Sequence, residues 1–404
     1  MDREALVLRN RAMAAAFHRP SLKHRVRRLL LASAAKVPIP VQRRQTERER
    51  ILLIRPDHLG DVLLMTPALR KLRAERPQAE LHALVGPWSA DVLADNPDID
   101  LVLTLPFPGF ERNTTASLSA PYLLAWRAAR GLRQIGYSSA LVLRPDHWWG
   151  ALLAQLAGIP RRIGYAFDEV RGFLTEPIPH KYDHAVRQNV RLVDALNEHN
   201  DAPADAASLP LQFRVEPEDR LWVDGYLTEW HYPLDRPIIA VHPGSGTWVK
   251  QWREEHWALV GDVLSSQLDA VVVFTGTDKE LPMILRIIAA MKAPVCVMAG
   301  DTHVGSLAAL FERARIVLGP DSGPLHLAVS VGTPTVTLFG PADPAEFGPW
   351  GPSDRHAVVT ASIGCRPCRV LDWGSDAPEY HPCVRDLSPA QVLAAARHVM
   401  QTVL

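Results

Sequence analysis

The 404-residue sequence predicts an α/β chain of two doubly wound domains in tandem, preceded by a basic helical extension. Three observations carry this. Short β-branched runs alternate with longer helical segments, the pattern of parallel sheets covered by helices. The alternation stops at an Asp- and Ala-rich stretch, Asn200–Ala207, and then restarts. Residues 1–50 follow neither pattern and carry thirteen Lys and Arg against four acids, a basic leader on an acidic body. Because single cores rarely grow beyond about 250–300 residues, we place an extension at 1–50 and domains at 51–215 and 216–404. The boundary falls within 200–236, and the last helix is free to pack back on the first domain.

Apolar residues make up 47% and charged residues 22%, so the chain can bury a sizeable core. Lys+Arg and Asp+Glu both total 44, which gives no sign of a nucleic-acid partner. No run approaches the roughly 18–20 apolar residues that span a bilayer. The short run Ala14–Phe17 is not a secretory signal. The expected location is cytoplasmic, and four cysteines fit a reducing compartment. Without an export signal, the sequon Asn113-Thr114-Thr115 reads as coincidence.

In the extension, Ser21–Ala35 puts Leu22, Val26, Leu29, Leu30 and Ala34 on one helical stripe flanked by Lys23, Arg25, Arg27 and Arg28. That pattern suits a helix lying on an anionic membrane surface; a solvated or domain-packed basic helix is the alternative. The first domain has strands at Ile51–Arg55, Glu80–Val85, Asp100–Leu105 and Ala140–Arg144. Its helices are Asp61–Glu75, Ser89–Ala94, Ala120–Ile135 and Gly150–Ala157. Apolar runs bounded by turns suit strands buried on both faces. One echo recurs where a strand ends and a loop begins: Leu53-Ile54-Arg55-Pro56-Asp57-His58 returns as Val142-Leu143-Arg144-Pro145-Asp146-His147. The second domain has strands at Pro237–His242, Ala270–Thr275, Val295–Met298, Ile316–Leu318 and Pro334–Phe339, with helices between them. The last helix starts at Pro389, with Ser388 as its N-cap.

Ligands of such sheets bind outside the carboxyl ends of the strands. Val241–Thr247 runs from a strand into Gly244, Ser245, Gly246 and Thr247, with Lys250 following. Backbone N–H groups, hydroxyls and a Lys there can hold phosphate oxygens, though a plain turn reads equally well. Gly319-Pro320-Asp321-Ser322-Gly323 opens a helix after a strand, with His326 one turn along. It presents a positive helix end to a ligand, unless Asp321 or Ser322 merely caps the helix. In Phe274–Glu280, Glu280 can accept from ribose hydroxyls or simply stabilise its helix. Asp61, after Arg55–Gly60, can act as general base towards an acceptor hydroxyl or only steady the first helix. Arg144 and Arg161 can meet acidic sugars or phosphates of an acceptor.

Taken together, Ile51–Leu72, Arg162–Tyr165, His242–Trp252, Glu255–Trp257, Thr275–Glu280, Gly319–His326 and Leu338–Pro344 occur in an order that resembles the ADP-heptose:lipopolysaccharide heptosyltransferases. These form glycosyltransferase family nine, with the GT-B fold: two Rossmann-like domains facing across a cleft. The resemblance covers roughly residues 50–400. It implies an inverting, metal-independent transfer that requires no cofactor, from a nucleotide sugar to a lipid-linked glycan at the membrane's inner face. Asp61 matches the general base. Ser245, Gly246 and Lys250 match the phosphate loop, and Glu280 the ribose contact. Thr302 falls near a base contact, and Asp321, Ser322, Gly323 and His326 match the donor sugar and diphosphate site.

Cys365-x-x-Cys368 with Cys383 departs from this pattern. The three can bind a structural metal, with His381 or His398 as fourth ligand, or remain thiols. A cysteine cluster here resembles the iron-binding finger of protein-modifying heptosyltransferases, which makes a protein acceptor an alternative. A nucleotide-sugar epimerase and a nucleotide-sugar-binding scaffold are the readings from other classes.

Overall fold

The structure, a computed structural model, describes residues 2–19, 21–41, 48–110, 119–197, 208–233, 235–374 and 376–401. The expected linker Asn200–Ala207 and the sequon at Asn113 lie outside the described residues. The chain divides into two compact units, one of residues 20–209 and one of residues 1–19 with 210–404.

The first unit is built on β1 (Arg50–Arg55), β2 (Glu80–Val85), β3 (Leu101–Thr104), β4 (Ser139–Val142), β5 (Arg161–Tyr165) and β6 (Glu176–Ile178). They form one parallel sheet in the order β3-β2-β1-β4-β5-β6. Ile51, Leu52, Leu53 and Ile54 are fully buried, as a central strand covered on both faces requires. The order reverses between β1 and β4, which opens a crevice at their carboxyl ends. The single helix expected over Asp61–Glu75 is two, Leu59–Leu63 and Thr66–Glu75. Pro67 lies in the first turn of the second, and in one continuous helix its ring would clash with the carbonyl of Leu63. Thr66 Oγ1 donates to that carbonyl at 2.8 Å. β4 stops at Val142, which releases Arg144 into the following loop.

The second unit repeats the plan. Its strands are β7 (Ile238–Val241), β8 (Val271–Phe274), β9 (Val295–Val297), β10 (Ile316–Pro320), β11 (Thr335–Phe339) and β12 (His356–Thr360). The parallel order β12-β11-β10-β7-β8-β9 is the first sheet's order carried over, with the switch point between β7 and β10. Trp252 and Trp257 pack edge to face at 4.8 Å in a core with Ile239, Leu318, Leu338 and Val392. The last helix, Pro389–Gln401, packs within this unit on β11, β12 and helix Glu254–Leu268. Ser388 caps it reciprocally: Gln391 N–H donates to Ser388 Oγ at 3.3 Å, and Ser388 N–H to Gln391 Oε1 at 2.9 Å.

The extension is shared between the units. Helix Arg3–Phe17 belongs to the second. Arg9 Nη2 reaches both Asp376 carboxylate oxygens at 2.8 Å, Asn10 donates to Tyr380 O at 2.7 Å, and Arg11 Nε to Gly364 O at 2.9 Å. Helix Leu22–Ala34 belongs to the first, where Leu31 is buried with Val170 and Phe173. Arg27 and Arg28 pair there with Glu169 and Asp168 at 3.0 and 3.2 Å. Much of the leader's basic charge is therefore structural. Among the described residues, no helix is long and apolar enough to cross a membrane.

Candidate active site

In the first unit, β1 and β4 bring the two copies of the echo side by side at the switch point. Arg55, at the end of β1, is buried and donates through Nη1 to Leu143 O at 3.2 Å and through Nη2 to Asp61 Oδ1 at 3.1 Å. Its Nε stands 2.7 Å from Asp57 Oδ2, and Arg144 Nη1 donates to Asp57 Oδ1. Arg144 also holds Asp146 at 2.7 Å. The loop backbone is fixed in turn, since Trp88 Nε1 and Ser89 Oγ donate to Asp57 O at 3.0 and 3.1 Å.

These contacts divide the labour between the two carboxylates. Burial alone would raise the Asp57 carboxyl, but the Arg55 and Arg144 guanidiniums outweigh it and hold the group below its usual range. Asp61 moves the other way. Burial, then the negative charge of Asp57, pushes its carboxyl up to about 6 against the pull of Arg55. Its side chain is still 34% exposed. A carboxylate that is reachable and raised in this way can take a proton from a hydroxyl near neutral pH. His147, from the second echo, is buried against Phe107 and Phe110 at 5.4 and 5.8 Å, and burial pushes it down to about 4. It stands neutral beside the cluster.

In the second unit the candidate donor residues sit on loops at the carboxyl ends of four adjacent strands. A Cβ at Gly244, after β7, would overlap the Glu280 carboxylate, so only glycine lets the two loops close. Gly300, after β9, has φ +89 and donates to Gly276 O at 2.9 Å, which sets the Thr302 loop against the β8 loop. A Cβ at Gly319 on β10 would lie 2.7 Å from His242 O. Lys250 Nζ reaches Asp321 Oδ2 at 2.5 Å and Asp321 O at 3.2 Å, tying the β7 and β10 loops together.

Several of these side chains already have partners. Lys250 is paired with buried Asp321, so its charge is compensated before any phosphate arrives. Glu280 Oε2 accepts from Thr277 N and Oγ1 at 2.8 and 2.9 Å, closing its own turn. Ser245 Oγ donates to Thr247 O at 2.6 Å. Ser322 differs. It occupies the N-cap position of helix Gly323–Ser330, yet its side chain caps nothing and its Oγ has no hydrogen-bond partner among the described residues. His326 is buried one turn along and lines a small cavity with Ser322, Thr337 and Phe339.

One reading requires correction. Arg161 begins β5, at the end of the sheet opposite the site loops. It grips Glu176 at 2.6 and 2.9 Å and donates to Ala195 O and Leu196 O, the carboxyl end of helix Ala185–Leu196. It ties the fold together instead of facing an acceptor. Arg161→Met is therefore expected to lower stability by about 1–3 kcal/mol with kcat and KM unchanged, which melting curves and steady-state kinetics check. All four cysteines are free thiols, and among the described residues no three His, Cys, Asp or Glu side chains are arranged to hold a metal ion. Cys365, Cys368 and Cys383 do border one small cavity. His381 Nε2 stands 2.7 Å from Asp376 Oδ2, His398 is exposed on the last helix, and burial pushes the Cys383 thiol up to about 12.

Comparison with known proteins bears on the same elements. The family model described as "Glycosyltransferase family 9 (heptosyltransferase)" matches residues 125–372. Lipopolysaccharide heptosyltransferase 2 of Escherichia coli (strain K12) is 26% identical over 365 residues, covering 85% of this chain and 96% of that protein. The solved glycosyl transferase family 9 protein of Veillonella parvula DSM 2008 superposes with a TM-score of 0.73 at 23% identity, covering 89% of this chain and all of that one. The E. coli ADP-heptose lps heptosyltransferase II gives 0.68 at 22%, covering 88% and 99%. These two structural likenesses show the fold, which is GT-B. With the family match spanning more than half of its length, the chain belongs to glycosyltransferase family 9, the heptosyltransferases.

Proposed function

We propose that the chain is an inverting, metal-independent glycosyltransferase that moves a heptose or related sugar from a nucleotide diphosphate to a surface glycan. The donor is ADP-heptose and the acceptor a hydroxyl of a lipid-linked lipopolysaccharide core at the cytoplasmic face of the membrane. The relatives named above support the sugar and acceptor class. The observation that carries the chemistry is Asp61, reachable and raised to about 6 beside the Arg55–Asp57 pair. In this reading Asp61 takes the proton of the acceptor hydroxyl as its oxygen attacks the anomeric carbon. The bond to the diphosphate breaks on the opposite face, which inverts the configuration. Lys250, the Ser322 hydroxyl and the start of the Gly323 helix meet the charge that builds on the departing phosphate. Gly246, Glu280 and Thr302 hold the nucleoside end, while Asp321 positions Lys250. Arg144 lies near enough to Asp61 to orient an acidic acceptor.

A thermal-shift screen of ADP, GDP and UDP sugars, followed by a transfer assay on delipidated core oligosaccharide, tests the reading. ADP-heptose is expected to give the largest shift and a product of inverted configuration. A donor turned over to free epimer without acceptor, or preference for a uridine or guanosine donor, would overturn it.

A further inference from the structure

Two helices of the first unit leave apolar side chains uncovered on adjoining ground. On helix Leu22–Ala34, Leu22, Leu29 and Leu30 are 76%, 71% and 66% exposed, and Val26 is exposed on the same stripe. On helix Ala120–Ile135, Tyr122, Leu123 and Trp126 are each about half exposed. Both helices meet helix Trp148–Leu156. The Arg27 guanidinium lies 5.9 Å from the Trp148 ring, and the Tyr122 ring lies 6.3 Å from the same Trp148. The connecting segment completes the join: Gln155 donates to Ala35 O and Val37 O at 3.2 Å, and Arg133 donates to Pro40 O.

The charges that the two helices themselves supply have one sign. Neither helix contains an acidic residue, while Arg25, Arg27, Arg28, Arg127, Arg130 and Arg133 lie on them, Arg27 and Arg28 being paired with Glu169 and Asp168 of a neighbouring loop. Arg130 sits 4.9 Å over the Trp126 ring, an arrangement that lets a long cationic side chain cover apolar surface while its head stays in water. Leu and Val flanked by Trp, Tyr and Arg is the chemistry of the lipid headgroup boundary. A second copy of the chain fits poorly, because a self-complementary contact would set Arg25, Arg127 and Arg130 against one another, and neither helix supplies an acid to face them.

We propose that the two helices form a single lipid-binding face that seats the first unit on an anionic phospholipid surface. Leu22, Val26, Leu29, Leu30, Leu123 and Trp126 enter the headgroup boundary, and Arg25 and Arg127 meet lipid phosphates. The face deepens the reading of a lipid-linked acceptor. Vesicle binding is measured without donor or acceptor, so either idea can fail alone.

The test is co-sedimentation of the full chain with phosphatidylcholine vesicles with and without phosphatidylglycerol. The protein is expected to bind the anionic vesicles, more weakly as salt rises. The double variant L29E/L30E is expected to bind about tenfold or more weakly. W126E, on the other helix, also weakens binding, and both variants keep the wild-type melting temperature because the altered side chains are exposed. Failure to bind anionic vesicles, equal binding to neutral ones, or undiminished binding by L29E/L30E overturns the proposal. So does self-association that L29E/L30E abolishes in a chain that ignores vesicles, which would assign the face to a second copy.

Discussion

Asp61→Asn is expected to lower kcat by about 10²–10⁴-fold while donor affinity holds. Asparagine keeps the shape of the side chain and an oxygen for Arg55 Nη2, but it cannot take a proton from the acceptor. Stability is expected to move in the opposite direction. Because the folded Asp61 carboxyl is raised from 3.8 to about 6, the native chain holds that proton more tightly than the unfolded chain. Ionised Asp61 therefore costs stability, fully so above about pH 6, and the cost fades as pH falls towards the unfolded value. The variant should melt higher than wild type at about pH 8, with the gap closing as pH falls through about 6 towards about 4. The same ionisation should set the acid limb of the wild-type kcat/KM profile near pH 6. Transfer rates and melting curves across pH check both parts, and a variant that is active, or that melts lower at alkaline pH, would remove Asp61 from this role.

Lys250→Met is expected to produce two losses that a second substitution separates. The change leaves buried Asp321 without its cation, which costs about 3–5 kcal/mol. It also removes the charge proposed to meet the diphosphate, and nucleotide affinity is expected to fall about tenfold or more. K250M/D321N removes the stranded carboxylate, so it should regain most of the stability and none of the affinity. Melting curves and nucleotide titration calorimetry read the two effects independently. If affinity returns with the double variant, Lys250 serves only to hold Asp321.

Much of this is legible in the amino-acid sequence. The two sheets were visible because their central strands are unbroken apolar runs such as Ile51–Ile54 and Val271–Phe274, which only a strand covered on both faces tolerates. The site loops followed, since strand ends in such sheets face ligands. Neighbourhood was less legible. The repeated Arg-Pro-Asp-His drew notice, but nothing in one dimension says that β4 lies beside β1, and only that pairing turns Arg55 and Arg144 into a clamp on Asp57. Arg161 misled because a strand-terminal arginine reads alike at either end of the sheet. Helix Arg3–Phe17 went unread because its anchors, Gly364, Asp376 and Tyr380, lie at the far end of the chain. The break before Pro67 was there to be read, and the apolar periodicity on both sides concealed it.

That first helix gives the second unit an unusual timetable. Arg3–Phe17 leaves the ribosome roughly 350 residues before the segment that receives it, a wait of about 20–70 s at ordinary rates of translation. The unit containing residues 20–209 can finish folding within that interval, whereas the other cannot close until residues 210–404 have joined residues 1–19. Removal of helix Arg3–Phe17 would therefore be felt in the body that carries Lys250 and Ser322, although it lies far from them in sequence.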